Sequence, residues 1–233
     1  VIHAAGGRDG TGDGGLVSGS AKSHRGIVSK FVKTTGIQAL TFDYALAPEN
    51  PFPAGLNDAL KAYEYLLNHG FKSQNIIFMG DSGGGNLLLA LLLLLKEKSI
   101  AMPAGAVTLS PWTDLTNSGE SNTANRQKDK LAPENANEMF SQAYCQGQDP
   151  KNPLISPLFG DLHSLPPLLL FAGSDELMRD DTLRFAEKAK EAGVEVEVEI
   201  ADGMFHCYPA VAPLIPEANR AMKKIQNFVN EKL

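Results

Sequence analysis

The sequence predicts an α/β fold, a mostly parallel central sheet flanked by helices. First, short apolar runs alternate with longer helical stretches, the order expected when crossover helices join parallel strands. Second, residues 75–79 lead through a glycine-rich turn directly into a leucine-rich helical stretch. Third, 43% hydrophobic and 21% charged residues give a chain of 233 residues enough apolar material for one full core, and no internal repeat divides it.

Taken in order, the strand candidates are residues 1–3, 38–43, 75–79, 104–109, 168–172 and 194–200. Helix candidates fall at 20–34, 54–68, 83–98, 181–192 and 210–231. Residues 112–166, broken by Pro133, Pro150, Pro153, Pro157 and Pro166, interrupt the alternation and hold one short helix candidate at 133–144. The single domain 1–233 is therefore expected to carry an insertion there, over the end of the sheet where pockets form. The last strand candidate alternates Val194, Glu195, Val196, Glu197, Val198, Glu199 and Ile200. That pattern fits an edge strand with a charged outer face, and it is also a candidate homodimer edge.

Several partner classes are excluded on charge and composition. A net charge of −6 argues against nucleic acid or an anionic membrane surface. Residues 87–95 are the most apolar run and reach about half the length a bilayer requires, so no membrane span is expected. No signal peptide is legible. With only Cys145 and Cys207, no disulfide framework is implied, which fits a reducing cytoplasm. The five histidines show no paired metal-ligand spacing, so neither metal nor cofactor is expected.

The chemistry gathers at Gly80-Asp81-Ser82-Gly83-Gly84-Gly85, a G-x-S-x-G turn between strand and helix. A serine on so tight a turn needs neighbours without Cβ atoms, and the helix that follows aims its free N–H groups at it. Ser82 is the candidate nucleophile, with the Gly83 N–H as an oxyanion donor. A serine nucleophile needs a histidine base and a carboxylate behind it, and the strand–turn–helix G-x-S-x-G resembles that of α/β-hydrolases, which implies the chain order Ser, Asp or Glu, His. Downstream of Ser82 stand His163, in a polar loop, and His206, after the last strand; His206 is the candidate base. Asp175, at the end of the strand 168–172, is the candidate acid, with Glu176, Asp180 and Asp181 as rivals. Asp180 and Asp181 read instead as first-turn residues of the next helix. Cys207 reads as a small apolar filler and His24 as a maker of structural hydrogen bonds.

These motifs together resemble the bacterial hormone-sensitive-lipase-like (family IV) carboxylesterases of the α/β-hydrolase superfamily. Asp43-Tyr44-Ala45-Leu46-Ala47-Pro48-Glu49 is similar to their tyrosine-arginine-leucine-alanine-proline-glutamate signature, with Ala45 in the arginine position. Gly80–Gly84 is similar to their GDSAG turn, and Ser110-Pro111-Trp112-Thr113-Asp114-Leu115 to the segment after the next strand. The resemblance implies hydrolysis of short-acyl esters of small molecules through an acyl-serine, without cofactor, beneath a cap that is small or partly missing here. It also implies an HGGG loop completing the oxyanion hole. Gly12 and Asp13 stand where that loop has its His and first Gly, which makes Gly14 and Gly15 the better donors; His3-Ala4-Ala5-Gly6-Gly7 is the alternative site of a degraded motif. The rival readings are a non-catalytic small-molecule-binding protein on the same fold, and an amide hydrolase.

Overall fold

The computed structural model describes residues 1–6, 15–131 and 135–233, the side chains of residues 4–6 excepted. Its elements run β1 (Ile2–Gly6), α1 (Arg25–Thr35), β2 (Leu40–Tyr44), α2 (Ala54–Asn68), β3 (Ile77–Asp81), α3 (Ser82–Glu97) and β4 (Gly105–Leu109). There follow α4 (Ser121–Ala124), α5 (Ala136–Cys145), β5 (Leu168–Gly173), α6 (Arg179–Glu191), β6 (Val196–Ala201) and α7 (Pro216–Lys232). The six strands form one parallel sheet in the order β2-β1-β3-β4-β5-β6. Both faces are covered, as a parallel sheet requires.

Alternation within each strand assigns side chains to the two layers. Phe78, Ala106, Leu168 and Leu170 point to the face covered by α2, α3 and α6, where they join Leu56, Leu88 and Phe185. Ile77, Met79, Val107, Leu169 and Phe171 point the opposite way, onto Ile27 and Phe31 of α1 and Met222, Ile225 and Phe228 of α7. Helix α3 is buried on all sides from Ser82 to Leu95, which explains a leucine run with no polar face. Among the described residues no helix is long and apolar enough to cross a membrane.

The strands lie within a few residues of their expected bounds, and the largest differences lie at helix starts. The helix expected from residue 20 begins at Arg25, because residues 20–24 form a turn in which His24 N–H donates to the Ser20 carbonyl. The helix expected from 210 begins at Pro216, since Tyr208–Val211 winds as a 3-10 turn and Pro216 supplies the N-terminal turn of the true helix. The short helix expected at 133–144 is Ala136–Cys145; residue 133 lies outside the described residues.

Candidate active site

Strand β3 ends and α3 begins with no intervening loop, so the chain reverses at Ser82, whose φ is +49°. That left-handed backbone is costly for a residue with a Cβ and marks a strained turn. The glycines around it are required by contact. A Cβ on Gly80 would lie 2.7 Å from the Gly84 carbonyl oxygen, and one on Gly83 would lie 2.8 Å from the Leu16 backbone nitrogen. The Gly83 N–H is thus at the free N-terminus of α3, against the segment that carries Gly15. Gly15 borders the same cavity as Ser82, and Gly14 lies outside the described residues.

His206 follows β6 and borders the same cavity. Its Nδ1 donates to Glu176 Oε2 at 3.2 Å, which leaves Nε2 unprotonated in the neutral ring. The carboxylate behind His206 is therefore Glu176, in place of the expected Asp175. Glu176 is wholly buried, whereas the Asp175 side chain is 34% exposed and its Oδ1 faces Lys128 Nζ at 3.4 Å. The reason is the turn after β5. Asn125 Nδ2 donates to the carbonyls of Ser174 and Glu176, and the Asp175 N–H donates to the Met204 carbonyl. Held so, successive side chains diverge, and the second one enters the core. Asp180 and Asp181 lie in the first turn of α6, as expected, with Asp180 accepting the Ser121 N–H.

Burial works against a charged His206, but the hydrogen bond to Glu176 and its carboxylate charge favour the imidazolium and leave its pKa above the ordinary histidine value. The Cys207 thiol is pushed up to about 11 by burial, so it is a neutral filler at pH 7, as expected. His163 is exposed and bonded to Asp161.

A second cluster was not legible in the sequence. Asp81, next to the nucleophile, accepts His3 Nε2 at 3.1 Å on one oxygen, and His24 Nε2 lies 3.3 Å from the other. Burial raises the Asp81 pKa, and the hydrogen bonds from His24 and His3 more than reverse that, holding it below the usual carboxylate range. His24 is in this sense structural, and His3 belongs to strand β1. Among the described residues no group of three or more His, Cys, Asp or Glu side chains is arranged to hold a metal ion.

The cavity itself is about 70 Å³. Trp112, Leu131, Phe140, Leu177 and Met178 give it apolar walls, several of them from the segment between β4 and β5.

Residues 13–210 match the family described as having the alpha/beta hydrolase fold. The chain is 37% identical to an acetyl-hydrolase of Streptomyces hygroscopicus over 216 residues, covering 93% of the chain and 72% of that protein. It is 38% identical to an esterase of Acinetobacter venetianus, covering 92% and 71%. A crystal structure of an esterase from the bacterial hormone-sensitive lipase family superposes with a TM-score of 0.92 at 37% identity, over 99% of this chain and 75% of the other. The chain belongs to the α/β-hydrolase family, among its bacterial hormone-sensitive-lipase-like esterases.

Proposed function

We propose that the chain hydrolyses short-acyl carboxylic esters of small molecules through an acyl-serine intermediate. The observation that supports this most directly is one cavity bordered by Ser82, His206 and Gly15, with His206 Nδ1 already committed to Glu176. In this reading Ser82 Oγ attacks the ester carbonyl carbon while its proton passes to His206 Nε2. The carbonyl oxygen becomes an oxyanion that accepts hydrogen bonds from the N–H of Gly83 and from the loop of Gly14 and Gly15. Collapse breaks the carbon–oxygen bond to the alcohol, which leaves with the proton from His206. Water, deprotonated by His206, then attacks the acyl carbon; the bond from that carbon to Ser82 Oγ breaks, the acid leaves, and His206 returns the proton to Ser82 Oγ. Every proton moves between side chain, substrate and water, so the cycle closes on this chain's own groups.

The small cavity with apolar walls supports an acetyl or propionyl preference. Two further readings are ours. The two free, buried cysteines fit a reducing cytoplasm, and the edge strand β6 is a surface for pairing with a second copy.

Hydrolysis of p-nitrophenyl acetate, butyrate and decanoate, measured beside Ser82→Ala, tests the central reading. Expected are rates falling with acyl length and a loss of at least about 10³-fold in Ser82→Ala. Equal turnover by Ser82→Ala would remove the acyl-serine, and no turnover by folded protein would favour a binding protein on the same fold.

A further inference from the structure

We propose that Ser110 is a positioning residue that sets the aim of the Glu176–His206 pair; this rests on the ester-hydrolysis reading above. Ser110 is the first residue after β4 and is fully buried. Its hydroxyl donates to Glu176 Oε2 at 2.7 Å and accepts the Cys207 N–H at 2.9 Å. One hydroxyl thereby ties together the end of β4, the turn after β5 and the loop after β6.

The polarity of this link is fixed by its ends. A backbone N–H only donates, so the Cys207 amide takes a lone pair of the hydroxyl and leaves its proton for the carboxylate. The oxygen that receives this proton is the one that accepts His206 Nδ1. The other oxygen, Glu176 Oε1, is buried and has no partner among the described residues. The wholly buried Glu176 side chain is therefore held by two hydrogen bonds on one oxygen, one from Ser110 and one from the histidine it orients.

The backbone agrees. Ser110 has φ +49° and Cys207 φ +55°, both left-handed and both unfavourable for residues with a Cβ. Such conformations persist where surrounding bonds over-determine them. At Ser110 the N–H donates to the Phe171 carbonyl at 2.7 Å, and the Cys207 N–H donates to the Ser110 hydroxyl. Cys207 directly follows His206, so the same bond that fixes its backbone fixes the aim of the imidazole. Ser110 touches no reacting atom; it acts through Glu176 and His206.

Ser110→Gly removes the hydroxyl while tolerating the positive φ, and Ser110→Ala is the second variant. Both are compared with the wild-type chain, Glu176→Ala and the Ser110→Gly/Glu176→Ala double variant on p-nitrophenyl acetate, with Ser82→Ala as the background. Expected for Ser110→Gly is a kcat lower by about 10–100-fold, the size of a hydrogen bond to a buried charge, with KM within about twofold. The double variant should be no slower than Glu176→Ala alone, because the hydroxyl has nothing left to position. Losses that multiply in the double variant, or a wild-type kcat in Ser110→Gly, overturn the proposal. An independent readout is the low-field proton resonance of His206 Nδ1, identified by its loss in Glu176→Ala, which should shift in Ser110→Gly. If the wild-type chain showed no Ser82-dependent turnover, the hydrolase reading would fall and this resonance alone would decide the role of Ser110. A resonance unmoved in both Ser110 variants overturns it.

Discussion

At the scale of the residue, the instructive pair is Asp175 and Glu176. They are adjacent, both acidic and both at the end of the same strand, yet one is buried against His206 and the other faces Lys128. Chemistry alone offers no way to choose between them, because either could sit behind a histidine. Glu176→Gln should lower kcat by about 10³-fold, since it removes the charge that balances the imidazolium and disturbs the tautomer. Asp175→Asn should stay within about threefold. The reverse result would restore Asp175. The pH dependence follows from the same pair. His206 must be neutral to accept a proton, and its raised pKa keeps it charged above the pH at which an ordinary histidine loses its charge. The acid limb of kcat/KM should therefore lie above pH 6.5 and move to lower pH in Glu176→Gln, where the carboxylate charge is gone. A limb that does not move would show that Glu176 does not face the titrating group.

At the scale of the element, the junction of β3 and α3 holds both the nucleophile and a buried carboxylate that two histidines approach. Asp81 ends β3, His3 lies in β1, and His24 sits at the start of α1, so one carboxylate fastens three elements behind Ser82. Two histidines donating to one buried carboxylate also explain why a motif aspartate can stand beside a helix N-terminus without being solvated. Its pKa is depressed in the folded chain, so its contribution to stability is fully present above the ordinary value of 3.8. That contribution fades as pH falls further, toward the folded pKa. Asp81→Asn should destabilise the protein by about 1.5–3 kcal/mol near neutrality, the usual worth of hydrogen bonds to a buried charged group. The gap in melting temperature from the wild-type chain should close as pH drops below 3.8. A gap independent of pH would mean that packing, and not charge, is what the substitution removes.

At the scale of the whole molecule, six parallel strands bring the carboxyl ends of β3, β4, β5 and β6 to one rim, where Ser82, Ser110, Glu176 and His206 all follow a strand. Strand β6 closes the sheet at one edge. Its Glu199 accepts the Tyr208 hydroxyl and pairs with Lys224, and nearby Glu195 pairs with Lys232, so part of the charge along this edge is already neutralised within the chain. An edge so treated can meet a copy of itself with little repulsion, and sedimentation at micromolar concentration should return twice the mass of the chain. A single-chain mass would leave β6 an ordinary solvated edge. The sequence by itself determined the order of strands and helices, the strained serine turn and the histidine after the last strand, because each is written in local periodicity or in a run of contiguous residues. It also marked 112–166 as a departure from the alternation, and its residues do wall the cavity. Only the tertiary structure decided that Glu176 and not Asp175 meets His206, that Ser110 bonds to both the acid and the loop, and that His3 and His24 converge on Asp81. Each of those contacts joins residues at least 30 positions apart or turns on the direction of a side chain within a loop. Direction there is set by hydrogen bonds from other elements, and no local pattern carries it.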